Sequence, residues 1–172
     1  MRLRLALLIC SLVLLVGCDH ATKHWAETSL RAAPRVEVLS GVLDLRYAAN
    51  HDSAFSLSRL VIPKTVKRPI LIALGCVGVT GLVVVWTRRR RARWWEHTAY
   101  LLLVAGAVGN VGDRVVRGYV VDFIHLHHWP IFNVADVLLV AGMVLLALSW
   151  RRSLPRPPPT GVPEPAPPAG PG

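Results

Sequence analysis

The chain has 172 residues, 53% of them hydrophobic, and carries 20 Lys+Arg against 10 Asp+Glu for a formal net charge of +10. So apolar a composition excludes disorder for most of the chain and exceeds the roughly 45–50% of ordinary soluble domains, Gly included. The basic residues flank long apolar runs, which is the pattern of membrane-protein loops rather than of a nucleic-acid-binding face, and three cysteines (Cys10, Cys18, Cys76), all inside apolar runs, imply no disulfide framework.

In chain order, uncharged apolar segments occupy residues 5–18, 69–86, 98–112 and 137–150. Crossing the hydrocarbon layer takes about 20 helical residues. The second segment nearly reaches that length. The other three reach it only with polar neighbours: Asp19 and Lys23 after the first, Glu96, His97 and Asp113 around the third, Asn133 and Asp136 before the fourth. Between the first two segments, Val36 and Val38, then Leu43, Leu45 and Tyr47, alternate with polar residues. That period of two predicts short strands with one buried face, a small sheet resting on the membrane surface. From Pro155 onward Pro, Gly and Ala dominate, the composition of a disordered tail. Gly75, Gly78 and Gly81 predict a close helix–helix contact on the second span.

Arg2 and Arg4 precede the first span, Arg88, Arg89, Arg90, Arg91 and Arg93 separate the second and third, and Arg151, Arg152 and Arg156 follow the fourth. Basic residues close to span ends mark the cytoplasmic side, so both termini are expected in the cytoplasm, with Lys64, Lys67 and Arg68 as a contrary signal. Asp19 at the end of helix 1, Asp113 at the end of helix 3, Asp122 in the following loop and Asp136 at the start of helix 4 then gather at the outer boundary. Asn110 and Asp113, and likewise Asn133 and Asp136, are spaced to share a helix face, and Gly106 and Gly109 leave room for a close neighbour. Asp122, flanked by apolar residues, is expected to be desolvated and to favour its protonated form; facing Asp136, it would share one proton with it. Such a pair suits an aspartic peptidase, with one carboxylate as base toward water and the other, protonated, polarising the scissile carbonyl. The bland alternative is that both cap helices or bind Arg114 and Arg117.

Five motifs in order resemble those of the lipoprotein signal peptidase (signal peptidase II) family: Asp19-His-Ala-Thr-Lys23, Asn50-His-Asp-Ser-Ala-Phe-Ser56, Gly109-Asn-Val-Gly-Asp-Arg114, Val120-Val-Asp-Phe123 and Phe132-Asn-Val-Ala-Asp136. The resemblance implies an all-α membrane protein of four transmembrane helices with a small extracytoplasmic β element, over residues 1–154, and a Pro-rich cytoplasmic tail over 155–172. It implies an aspartic endopeptidase of the bacterial inner membrane, working at the periplasmic side without a cofactor or metal. Its partners would be membrane lipids and diacylglyceryl-modified prolipoproteins, cleaved before the lipidated cysteine. Asp122 and Asp136 would be the catalytic pair; Asn50, Asn110, Arg114 and Asn133 would hold the substrate or shape the site; Asp19, Lys23 and Asp113 would support it. Two residues depart from the family pattern, His20 for Gln and Asp52 for Gly, and Asp52 adds a charge to a loop expected over the substrate.

Three other functions compete. Leu15-Val-Gly-Cys18 after a basic, apolar start resembles the lipobox of a lipoprotein, which leaves three further spans unexplained. A small transporter component would use Asp136 and Lys23 in an ion path, but no polar residues thread the middle of the spans. Asp122, His125, His127 and His128 invite a zinc reading, but adjacent histidines do not easily reach one ion. The Arg run beside Trp94 and Trp95 reads as a loop facing anionic lipid, not nucleic acid.

Overall fold

The computed structural model describes residues 2–32, 35–52, 63–89 and 91–153. Their elements are α1 (Arg2–Ser29), β1 (Val36–Leu39), β2 (Leu43–Asn50), α2 (Lys64–Arg88), α3 (Trp94–Val116), β3 (Val120–Leu126) and α4 (Val134–Ser153). The expected tail beyond Pro155 lies outside the described residues, as do residues 53–56 of the second motif.

Four apolar helices form the body, as expected. Three are long and apolar enough to cross a membrane, Leu5–Ser29, Val66–Arg88 and Trp94–Val116, and a shorter apolar helix spans Val134–Trp150. Counted from Val134 to Ser153 the last helix has 20 residues, about 30 Å at 1.5 Å per residue, enough for the hydrocarbon layer. Large apolar side chains such as Leu14, Leu74, Val77, Val144 and Leu148 point outward, toward lipid in a spanning bundle.

α3 is the central helix and packs against α1, α2 and α4. Its small residues set the closest approach. A Cβ on Gly106 would stand 2.4 Å from the Ala135 carbonyl oxygen, and one on Gly142 would stand 2.8 Å from the Ala99 carbonyl oxygen. Without a hydrophobic driving force between helices in lipid, such backbone contact is the main source of cohesion. The glycines of α2 behave differently from expectation: Gly75 meets Val111, but Gly78 and Gly81 face open space. α2 is applied to the bundle at one stretch, and most of its surface is exposed.

α1 does not stop at Asp19 but continues to Ser29. Its last turns leave the bundle and carry the sheet. Ala26 and Leu30 pack with Val121 and Phe123, surrounded by Leu45, Tyr47, Tyr119, Ile124 and Val134. The sheet is three-stranded and antiparallel, in the order β1-β2-β3. Asp122 belongs to it, opposite Ala48; the segment expected to be a loop is a strand. The chain turns from α3 into β3 through Gly118, at φ 85°, a left-handed position suited to glycine just past a helix end. The expected burial of Val36 and Val38 is not found: all of β1 is exposed, because the helices that cover the sheet reach β2 and β3 and not β1.

Candidate active site

The residues singled out in the sequence converge at the end of the bundle that bears the sheet. α1 brings Asp19 and Lys23, α3 brings Asn110, Asp113 and Arg114, and α4 brings Asp136 in its first turn. β2 ends on Asn50, and β3 holds Asp122. A cavity of about 640 Å³ opens among them, between α2, α3 and α4. Asn50, Asn110, Arg114, Asp122 and Asp136 supply its polar wall, and side chains such as Val111, Phe132, Val137, Val140 and Met143 line the rest. A mostly apolar cavity with a few convergent polar groups is the usual form of a ligand site.

The foundation is a buried ion cluster. Lys23 is fully buried, and its ammonium reaches Asp19 Oδ2 at 2.8 Å, Asp113 Oδ2 at 3.0 Å and Asn110 Oδ1 at 3.1 Å. Two ion pairs and one hydrogen bond hold the ammonium. Each carboxylate then holds another element. Asp19 Oδ1 accepts from the Ala135 N–H at 2.9 Å, at the start of α4. Asp113 Oδ2 accepts from the Val121 N–H at 3.2 Å, next to Asp122, and its other oxygen pairs with Arg117. The cluster sets the places of β3 and of the α4 N-terminus. Gly109 makes room for it, since a Cβ there would stand 2.5 Å from Asp19 Oδ2.

Lys23 also orients the amides. An ammonium only donates, so it must face the Asn110 oxygen. The Asn110 nitrogen is thereby turned to Asp136 Oδ1, at 2.9 Å. Asn133 Nδ2 donates to Asn110 Oδ1 at 3.2 Å and to Asp122 Oδ1 at 2.6 Å, while its backbone N–H donates to Asp136 Oδ2 at 3.2 Å. Asn133 therefore links both carboxylates. It is fully buried and is not among the residues that line the cavity. Asn50 Nδ2 donates to Asp122 Oδ2 at 2.8 Å.

Asp122 is 3% exposed. Burial pushes its carboxyl up to about 6, and the charge of Asp136 adds to this. The amides of Asn50 and Asn133 and the charge of Lys23 pull the other way. Asp136 is half-buried. The alternative partners do not take up this pair: Arg117 goes to Glu27 and Asp113, and Arg114 donates to the Asn110 carbonyl at 3.1 Å and the Asp52 carbonyl at 3.0 Å. The capping role does hold for Asp136.

The histidines lie along the far part of the sheet. His125 Nδ1 donates to Asp44 Oδ1 at 2.7 Å, and Arg35 Nη2 donates to His127 Nε2 at 3.3 Å. Sequence reasoning missed this cluster and the fully buried Asp44 at its centre, since strand alternation pointed to Leu43 and Leu45. It also missed the Glu27 group, in which Glu27 accepts from Tyr119 at 2.7 Å and from Arg117 at 3.1 Å. α1 runs without a break through Cys18 into Asp19 and Lys23, so the lipobox-like stretch is part of the site-bearing helix.

Residues 11–151 match the family model described as Signal peptidase (SPase) II. The chain is 36% identical over 141 residues to a lipoprotein signal peptidase of Xylella fastidiosa, covering 79% of this chain and 83% of the relative. It is 37% identical over 156 residues to a lipoprotein signal peptidase of Pseudomonas putida, covering 87% and 89%. Two solved structures of a bacterial membrane enzyme, obtained by the in meso method at 2.3 and 1.9 Å, superpose with TM-scores of 0.74 and 0.75 at 27% identity, over 86% and 87% of this chain and 88% and 95% of theirs. The match spans all four apolar helices and every residue of the candidate site, and the chain belongs to the signal peptidase II family.

Proposed function

We propose that this protein is an aspartic endopeptidase that removes signal peptides from diacylglyceryl-modified bacterial prolipoproteins, cutting before the lipidated cysteine, with Asp122 and Asp136 as the catalytic pair. The observation that carries this is that the two carboxylates line one largely apolar cavity and are both joined to Asn133. Family membership supports the peptidase, and the relatives' name supports the substrate.

The division of labour follows from environment. Asp122, the more buried, holds the proton and donates it to the scissile carbonyl oxygen. Asp136, ionised, takes a proton from water as the water oxygen bonds to the carbonyl carbon. The tetrahedral species then collapses: the C–N bond breaks, the amine nitrogen takes the proton from Asp136, and Asp122 recovers its own. Each carboxylate oxygen has a lone pair left for this beyond the ones its amide partners occupy. Asn110 and Arg114 are placed to hold the substrate backbone and the developing oxyanion charge.

The site belongs at the periplasmic surface of the inner membrane. The chain joining α2 to α3, at the end of the bundle opposite it, carries Arg88, Arg89, Arg91 and Arg93, which by the weighting of short basic loops is the cytoplasmic end; Arg2 at the start of α1 and Ser153 at the end of α4 belong to that end too. The diacylglycerol anchor holds the scissile bond at this depth and raises its effective concentration. The signal peptide docks along the apolar wall of Val137, Val140 and Met143. The stretch around Gly106 is taken up by α4 itself.

The test is cleavage of a diacylated prolipoprotein by the purified chain in lipid, beside Asp122→Asn and Asp136→Asn and with inhibitors of serine, cysteine and metallo-peptidases. Turnover by wild type, resistant to those inhibitors and lost in both variants, is the expected result. Wild-type turnover in either variant refutes the pair.

A further inference from the structure

The chain leaving β2 runs from Asn50, which lines the cavity, through His51 to Asp52, and is fastened there by three contacts. The Asp52 N–H donates to Asn50 Oδ1 at 2.9 Å, closing an Asx turn. Arg114 Nη2, from α3, donates to the Asp52 carbonyl oxygen at 3.0 Å. The Asp52 carboxylate pairs with the ammonium of Lys67, on the first turn of α2. The Lys67 side chain is 11% exposed and that of Asp52 41%, so the pair is more sheltered than an ordinary surface ion pair, whose contribution is small.

We propose that Asp52 and Lys67 are positioning residues for the cleavage reaction: their ion pair ties Asp52, and with it the turn at Asn50–Asp52, to α2 and so keeps the Asn50 amide turned toward Asp122. This rests on the aspartic peptidase reading of the site. An amide has one oxygen and one nitrogen. The Asx turn engages the oxygen, which leaves the nitrogen to donate to Asp122 Oδ2 at 2.8 Å. Without the clamp the turn loosens, Asn50 gains rotational freedom, and Asp122 keeps only its Asn133 donor. Arg114 loses its Asp52 carbonyl at the same time.

The clamp differs from a through-space charge effect in the sign of what it predicts. The charges facing Asp122 are Asp136 from α4, Lys23 from α1 and Arg114 from α3; Asp52 and Lys67 add one of each sign at the rim. Acting only as point charges, Asp52→Asn and Lys67→Met would move the titration of Asp122 in opposite directions. Acting through Asn50, both remove the same hydrogen bond to the ionised carboxylate and move it the same way, upward.

The experiment measures kcat, KM and the pH–rate profile of the full-length enzyme in lipid on a diacylated prolipoprotein. The variants are Asp52→Asn, Lys67→Met, the two combined, and Lys67→Arg. Each disrupting single variant is expected to lower kcat roughly tenfold, as for a small misplacement of a reacting group, with KM near wild type and the alkaline limb moved to higher pH. The combined variant should be no worse than either single one, and Lys67→Arg should remain close to wild type. Opposite shifts of the limb, or wild-type kcat and profile in both single variants, overturn the clamp. Wild type and Asp122→Asn run alongside separate the two readings: if wild type does not cleave, or Asp122→Asn does, the peptidase reading itself has failed.

Discussion

Asn133 and Asp136 cap each other. Asn133 Oδ1 accepts from the Asp136 N–H at 3.1 Å, and Asp136 Oδ2 accepts from the Asn133 N–H at 3.2 Å. This is the reciprocal exchange of a capping box at the start of α4. The same carboxylate turns its other oxygen to Asn110 and faces the cavity. A helix cap and a catalytic group are therefore not rival accounts of Asp136: the cap is what fixes the carboxylate in place.

Two substitutions at that position separate the roles. Asp136→Asn keeps an oxygen for the Asn133 N–H but turns a donor toward the Asn110 nitrogen, so it should lose cleavage while losing less of its unfolding midpoint than a variant without the cap. Asp136→Ala loses cleavage and the cap together, at a cost of about 0.5–2 kcal/mol. Thermal unfolding of both variants in detergent checks this, and equal midpoints would mean that the side chain does not cap α4.

The second prediction concerns Lys23. Removing one member of a buried ionic cluster leaves the others uncompensated, at a cost of about 3–5 kcal/mol. Lys23→Met strands the fully buried Asp19, leaves the equally buried Asp113 with Arg117 alone as its ion-pair partner, and frees the Asn110 amide to turn. It should lower activity, and it should lower stability more severely than Asp136→Ala does. Denaturant unfolding in a fixed detergent reads the difference; a variant as stable as wild type would show that the carboxylates do not depend on the ammonium.

The pH dependence follows from Asp122. Its carboxyl rises from 3.8 in the unfolded chain to about 6 in the folded protein. Between those values the folded state binds more protons, so the contribution of Asp122 to stability is greatest below pH 3.8, declines as pH rises toward about 6 and is level above it. With Asp122 as the proton donor, kcat/KM should fall on an alkaline limb that begins near pH 6 in the free enzyme. The limb belongs to the coupled pair. A bound lipid substrate shields the site further, so the limb of kcat should lie at higher pH than that of kcat/KM. Coincident limbs would count against burial as the cause.

A fourth prediction tests the close approach beneath the site. A methyl group on Gly109 would stand 2.5 Å from Asp19 Oδ2 and 3.3 Å from the Ala135 Cβ. Gly109→Ala should cost about 1–3 kcal/mol, the usual price of overpacking a well-filled interior, and should reduce cleavage by shifting the start of α4. Gly78→Ala meets nothing within 4 Å and should leave both unchanged. Parallel unfolding and cleavage assays decide between them.

The sequence by itself determined the four apolar helices, the strands β1 and β2 and the end of the bundle at which the acidic residues gather. Each of these rests on local properties: run length, a period of two, and charge beside an apolar stretch. The motifs carried Asp19, Lys23, Asn110, Asp113, Asp122, Asn133 and Asp136 as a set. Only the tertiary structure decided what each one does. It made Asp122 part of a strand, because β3 finds its partner β2 far away in sequence. It extended α1 to Ser29, because Ala26 and Leu30 have a sheet to pack against. It buried Asn133 and tied Asp52 to Lys67. Contacts between distant segments leave no periodicity to read, and burial, which sets the proton on Asp122, exists only once those segments have met.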